Sequence, residues 1–100
     1  MDITINKSQG VVELIVSGRL DTTTAPQLEI KLKEVSKEKV TLFMNLSNVE
    51  YISSAGLRVV LLGQKMMIAV GGKLIIRSPS AFCMQVFEAT GMDGVLTIEK

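Results

Sequence analysis

The apolar residues of this chain recur with two different periods, and each period predicts a different element. Short stretches with alternating or continuous apolar residues are typical of strands. These stretches are "DITINKS", "VVELIVSG", "KVTLFMNL", "KLIIRS" and "GVLTIEK". The first two are separated only by Gln9 and Gly10, which predicts a hairpin. "KVTLFMNL" is apolar on both of its faces, which predicts a central strand buried on both sides.

Three further segments repeat apolar residues every three or four positions, which is typical of helices. They are "LDTTTAPQLEIKLKEVSK", with Ala25, Leu28, Leu32 and Val35 inward, "SSAGLRVVLLGQKMMIAVGG", and "SPSAFCMQVFEATG", with Phe82, Val86 and Ala89 inward. Thr24 and Gln27 have the spacing of a capping box, and Gly91 is placed to end the third helix. Strands that alternate with helices predict an α/β fold whose mostly parallel sheet carries an N-terminal antiparallel hairpin.

Composition narrows the class of protein. The chain has 100 residues, 47% of them hydrophobic, and a net charge of +1, which predicts one globular domain over residues 1–100. Without a basic stripe, we expect no nucleic-acid partner. No apolar run approaches the roughly 20 residues of a membrane span, and the N-terminus does not resemble a signal peptide. We therefore expect a cytoplasmic protein.

The residues needed for common catalytic and metal sites are missing. The chain has no histidine and a single cysteine, Cys83. This excludes a Ser-His or Cys-His nucleophile, a Cys/His zinc site and an internal disulfide. Cys83 is predicted to be a small core residue of the third helix. We expect no enzymatic activity, no metal and no cofactor.

The hexapeptide "SSAGLR" lies where a strand gives way to a helix. Ser54 precedes the first predicted helical residues, so it is predicted to be the N-cap and to accept a hydrogen bond from Gly56 or Leu57, worth about 1 kcal/mol. One cap needs one serine, however, and Ser53 stands beside it. Gly56 also costs about 1 kcal/mol in a helix relative to alanine. The alternative is an access site, where glycine lets another chain approach and a hydroxyl is modified.

Three blocks, "VSGRLDTTTAPQLE", "LFMNLSNVEYISSAGLRVVL" and "FEATGMDGVLTIEK", together resemble the STAS domains, specifically the bacterial anti-sigma factor antagonists. The resemblance covers essentially the whole chain. In that family the middle block typically reads hydrophobic-Asp-Ser-Ser/Thr/Ala-Gly-Leu-Gly, and the serine after the aspartate accepts phosphate. Matching the Gly-Leu pair places Ser54 at the acceptor position. Ser53 then replaces the aspartate and Arg58 replaces the last glycine.

The resemblance implies a regulatory protein that works by exchanging partners. Its unphosphorylated form is expected to bind an anti-sigma factor serine kinase and so release a sigma factor. Phosphorylation of Ser54 is expected to end that binding. A metal-dependent serine phosphatase is expected to remove the phosphate and restore the binding form. The partner-binding residues implied are Asp21, Thr22, Ser53, Ser54, Ala55, Gly56 and Arg58. Asp21 is otherwise a turn residue, and Arg58 is either a solvated charge or a partner for the phosphate.

The replacement of the family aspartate by Ser53 leaves a second interpretation open. A STAS domain that is never phosphorylated could serve as a subunit or scaffold of a lipid-transport or stress-signalling assembly.

Overall fold

A computed structural model describes residues 1–100 and contains the predicted alternation of strands and helices. The elements are β1 (Asp2–Ser8), β2 (Val11–Leu20), α1 (Ala25–Val35), β3 (Thr41–Ile52), α2 (Ser54–Ala69), β4 (Lys73–Arg77), α3 (Ala81–Thr90) and β5 (Ile98–Glu99), with a 3₁₀ turn at Met92–Gly94. The five strands form one sheet in the order β1-β2-β3-β4-β5. β1 is antiparallel to β2, and every other pair is parallel. The predicted α/β class and the N-terminal hairpin are confirmed.

The strand order places all three helices on one face of the sheet. Each parallel connection steps to the next strand in the same direction, and crossovers share one hand, so every helix covers the same side. Burial follows this arrangement along β3, where Leu42, Met44 and Leu46 are buried while Thr41 and Phe43 of the other face are only half-buried. β3 is central, as predicted, but the prediction that it is buried on both sides is wrong.

The core is a single cluster of 21 buried residues between the sheet and the helices. α1 contributes the four predicted residues, Ala25, Leu28, Leu32 and Val35. In α3 the fully buried residues are Cys83 and Phe87. Val86 packs partly buried against the core as predicted, but Phe82 and Ala89 are exposed, so the predicted stripe is wrong at those two positions. The true stripe lies one residue further along, about 100° around the helix, which turns Phe82 outward. The core position predicted for Cys83 is confirmed, and burial raises the pKa of its thiol.

Two strands have lengths that the alternation did not predict. β3 continues as far as Ile52, since its pairing with β2 does not end before that residue. Register shifts between the two strands interrupt the period of two, so the alternation of apolar residues did not predict this length. β5 is reduced to two residues, which pair only with Ile76 and Arg77 of β4. The long β3 matters for function, since it carries the chain directly into Ser53 and α2.

Candidate functional site

The ends of β2 and β3 bring two separate loops together at the start of α2. Leu20 lies opposite Ile52 in the parallel register, and the N–H of Ser53 donates to the Leu20 carbonyl at 2.9 Å. The loop that follows β2 therefore lies beside the first turn of α2. We call residues 21–24 and 53–58 together the junction. It contains all seven predicted partner-binding residues.

The two serines of the junction have different roles. Ser53 is the N-cap: its backbone is extended (φ −97°, ψ 175°), and its hydroxyl accepts from the Gly56 N–H at 3.4 Å. Ser54 is the first helical residue, and it is exposed. The prediction that Ser54 is the cap was wrong by one residue, because pairing with Leu20 keeps the chain extended through Ser53. Because Ser53 is the cap, the Ser54 hydroxyl is not engaged in capping the helix.

Gly56 is required by packing within the chain. A Cβ at this position would lie 2.8 Å from the Cγ of Leu20, 2.8 Å from the Leu20 carbonyl oxygen and 3.0 Å from Cγ1 of Ile52. Gly56 itself is buried. The space that glycine leaves is therefore occupied by the end of β2, and not by another chain as the access-site interpretation expected.

The Asp21 loop is held by its own side chains. A carboxylate oxygen of Asp21 accepts from the N–H groups of Thr23 at 3.0 Å and Thr24 at 3.1 Å. The Thr24 hydroxyl donates to the Arg19 carbonyl at 2.7 Å and accepts from the Asp21 N–H at 2.9 Å. It makes no bond to the first turn of α1, so the predicted capping box with Gln27 does not form. The hydrogen bond from the Thr24 N–H holds the pKa of Asp21 below its ordinary 3.8, despite partial desolvation. The Thr24 hydroxyl, the Thr23 N–H and the charge of Arg19 lower this pKa further. Asp21 is thus a charged turn residue, and Thr22 beside it is exposed.

Arg58 provides the cation of the junction. It is exposed and lies four residues after Ser54, so the two side chains share one face of α2. Arg58 takes part in none of the five ion pairs of the structure. Its guanidinium is therefore available to an anion at Ser54.

A cluster of three side chains beside the junction has no counterpart among the predictions from the sequence. The Arg19 guanidinium lies 4.2 Å from the centre of the Tyr51 ring, and the Tyr51 and Phe82 rings are 5.3 Å apart. Arg19 and Tyr51 are neighbours in the β2–β3 register, whereas Phe82 comes from α3. No local pattern joins three residues spread over 64 positions of the chain.

The capping role of Ser53 leads to a stability prediction. We expect Ser53→Ala to lower the free energy of unfolding by about 1 kcal/mol, because the Gly56 N–H loses its acceptor. Ser53→Asp should keep most of that stability, since aspartate caps equally well. Ser54→Ala is the matched control and should change stability by less than about 0.5 kcal/mol. Urea denaturation measures all three, and a larger loss for Ser54→Ala than for Ser53→Ala would contradict the assignment.

Comparisons with known proteins agree with the fold. A family model described as the STAS domain matches residues 2–100. BtrV of Bordetella bronchiseptica, whose name describes an anti-sigma factor antagonist, is 33% identical over 99 residues, covering 98% of this chain and 85% of that protein. The anti-sigma-B factor antagonist of Bacillus subtilis is 26% identical over 98 residues, covering 98% and 90%.

Solved structures show the same architecture. The unphosphorylated form of the anti-sigma factor antagonist SpoIIAA has a TM-score of 0.81 at 20% identity, over 99% of this chain and 89% of that one. An anti-sigma factor antagonist from Mycobacterium paratuberculosis has a TM-score of 0.86 at 24% identity, over 97% and 83%. At these identities the likeness concerns the fold.

None of the three α-helices has the length and apolar character needed to cross a membrane. No group of three or more histidine, cysteine, aspartate or glutamate side chains is placed to hold a metal ion.

Proposed function

The chain belongs to the STAS domain family, and from that membership we propose that it is an anti-sigma factor antagonist controlled at Ser54. In this proposal the unphosphorylated chain binds an anti-sigma factor serine kinase through the junction and so frees a sigma factor. Phosphorylation of Ser54 ends the binding, and a metal-dependent serine phosphatase restores it. The chain acts as a binding protein and not as an enzyme.

One observation carries this proposal: Ser54 is exposed at the start of α2, and Ser53 has taken over the capping role. A hydroxyl engaged as a cap has one lone pair committed to a backbone N–H, and this bond restrains its orientation toward a kinase. The Ser54 hydroxyl has no such restraint. The relatives named as antagonists of anti-sigma factors support the choice of partner.

The same position suits the product of the reaction. A phosphate adds about −1.5 to −2 charges, and the free N–H groups and dipole of a helix N-terminus favour such a charge. Arg58, without an ion pair of its own, can reach the phosphate from the next turn. We therefore expect the phosphorylated chain to stay folded, so that the modification acts on the complex.

The departure from the family pattern at Ser53 is compatible with this proposal. Serine and aspartate are both favoured N-cap residues, so Ser53 can supply the hydrogen bond that an aspartate would supply there. Serine also removes a negative charge next to the phosphate. This replacement was the main support for the alternative, a scaffold that is never phosphorylated. Because serine can cap the helix as aspartate does, the replacement no longer favours that alternative.

Phosphorylation by an anti-sigma factor serine kinase from the same organism tests the proposal. The chain is incubated with that kinase and ATP, and the peptide covering residues 50–65 is examined by mass spectrometry. We expect one phosphate on Ser54 in the wild type and in Ser53→Ala, and none in Ser54→Ala. An unmodified peptide in a stable complex would instead make the chain a static binding module. A phosphate found only on Ser53 would show that Ser53, and not Ser54, is the acceptor.

A further inference from the structure

Of the chain's four aromatic side chains, Phe82 is exposed and Tyr51 is half-buried next to the junction. The chain has three phenylalanines, one tyrosine and no tryptophan. Phe87 is buried in the core, and Phe43 on the open face of the sheet is covered by the Arg77 guanidinium at 3.7 Å. Tyr51 and Phe82 remain, packed against each other, with Phe82 37% exposed. Phe43 and Tyr51 are thus both half-buried beneath an arginine, and Phe82, which lies against Tyr51, is the one aromatic side chain that is exposed.

Arg19 and Arg77 both stack on an aromatic ring, but only Arg77 has close ion pairs for its charge. Arg77 forms ion pairs with Glu13 and Glu99, each at 3.3 Å, and its side chain is 34% exposed. Arg19 has only Asp21, at 3.7 Å, and its side chain is 57% exposed.

The carboxylate beside Arg19 is also partly committed elsewhere. Asp21 already accepts hydrogen bonds from Thr23 and Thr24 through Oδ1, and it meets Arg19 through Oδ2 at a longer distance than a strong hydrogen bond. A planar guanidinium has five donors. Most of the Arg19 donors are thus free to meet a second carboxylate.

We propose that Arg19, Tyr51 and Phe82 form a docking surface, the aromatic platform, for the anti-sigma partner. The inference rests on the proposed function and adds the contact chemistry. The platform fits a segment that places an apolar side chain on the two rings and a carboxylate on the free face of Arg19. Tyrosine and arginine are enriched among residues that dominate binding energy, which suits this assignment.

The position of the platform links it to the switch. Tyr51 precedes Ser53 by two residues, and Arg19 precedes Leu20, whose carbonyl accepts from Ser53. The platform and Ser54 thus share one edge of the molecule. A phosphate on Ser54 would repel the partner's carboxylate that Arg19 attracts. The platform therefore identifies the group of the partner that the added charge would push away.

Affinity measurements with the same anti-sigma factor serine kinase test the platform. We expect Phe82→Ala and Arg19→Gln each to weaken binding at least tenfold. Ile68→Ala is the matched control: Ile68 is 63% exposed near the far end of α2, and its variant should bind within twofold of the wild type. If the wild type binds and the platform variants bind equally well, the platform is refuted while the proposed function stands. If the wild type does not bind this kinase, both are refuted.

The single tyrosine allows a second measurement without removing a side chain. Incorporated 3-fluorotyrosine labels only Tyr51. We expect its ¹⁹F resonance to shift or broaden when the kinase is added, and to return when Ser54 is phosphorylated. An unchanged resonance in a sample where the complex has formed would overturn the platform.

Discussion

Ser54→Asp is expected to bind the anti-sigma kinase at least a hundredfold more weakly than Ser54→Ala. The reason is desolvation: Arg58 lies on the same side as the added charge, but an interface that closes over this charge without a complementary group from the partner costs several kcal/mol, and each 1.4 kcal/mol is a factor of ten in affinity. Ser54 is the exposed first residue of α2, so an interface centred on the junction covers it. The change in dissociation constant can be measured by calorimetry.

Charge must be separated from size and from misfolding in this experiment. Ser54→Asn is nearly isosteric with the aspartate variant but neutral, and we expect it to bind within about tenfold of Ser54→Ala. An acidic residue in the first turn of a helix is favourable by about 0.3–1 kcal/mol, so Ser54→Asp should unfold no earlier than the wild type. Equal binding by the aspartate and alanine variants would show that charge at this position does not control the complex.

Gly56→Ala is expected to lower the free energy of unfolding by about 2 kcal/mol. Its new Cβ would lie 2.8 Å from the Leu20 carbonyl oxygen, a backbone atom that also accepts the hydrogen bond of Ser53. Overpacking of this kind costs about 3 kcal/mol, and the better helix propensity of alanine offsets about 1 kcal/mol of it. The end of β2 must then move away from α2, which separates the two halves of the junction.

Gly94→Ala is the matched control for this substitution. A Cβ at Gly94 would have no heavy atom within 4 Å, and the φ of this glycine is not in the left-handed region. We expect its stability to change by less than about 0.5 kcal/mol, or to rise slightly because the unfolded chain becomes less flexible. Urea denaturation compares both variants with the wild type. A Gly56→Ala variant as stable as Gly94→Ala would mean that the close approach to Leu20 is not rigid.

The local periods of the sequence determined the elements of this fold and much of their order. A period of two or of three to four is a property of neighbouring residues, so the hairpin at Gln9 and Gly10 and the α1 stripe could be predicted correctly. Gly91, whose φ of 77° ends α3, was predicted for the same local reason. The resemblance in the "SSAGLR" block also placed the predicted site residues in one region.

The tertiary structure decided what each junction residue does. Ser53 became the cap because its N–H bonds to Leu20, a residue 33 positions earlier, and this extended pairing is invisible in the local pattern. Gly56 faces the same distant residue, so its purpose could not be inferred from the helix alone.

The aromatic platform depended on tertiary structure most of all. Phe82 reaches Tyr51 only because α3 is turned by one residue from the predicted stripe and crosses back over β3. Sequence periodicity specifies which residues can share a face of one element. Contacts between elements depend on register, bulges and helix rotation, and a shift of a single residue in any of these moves a side chain from the core to the surface.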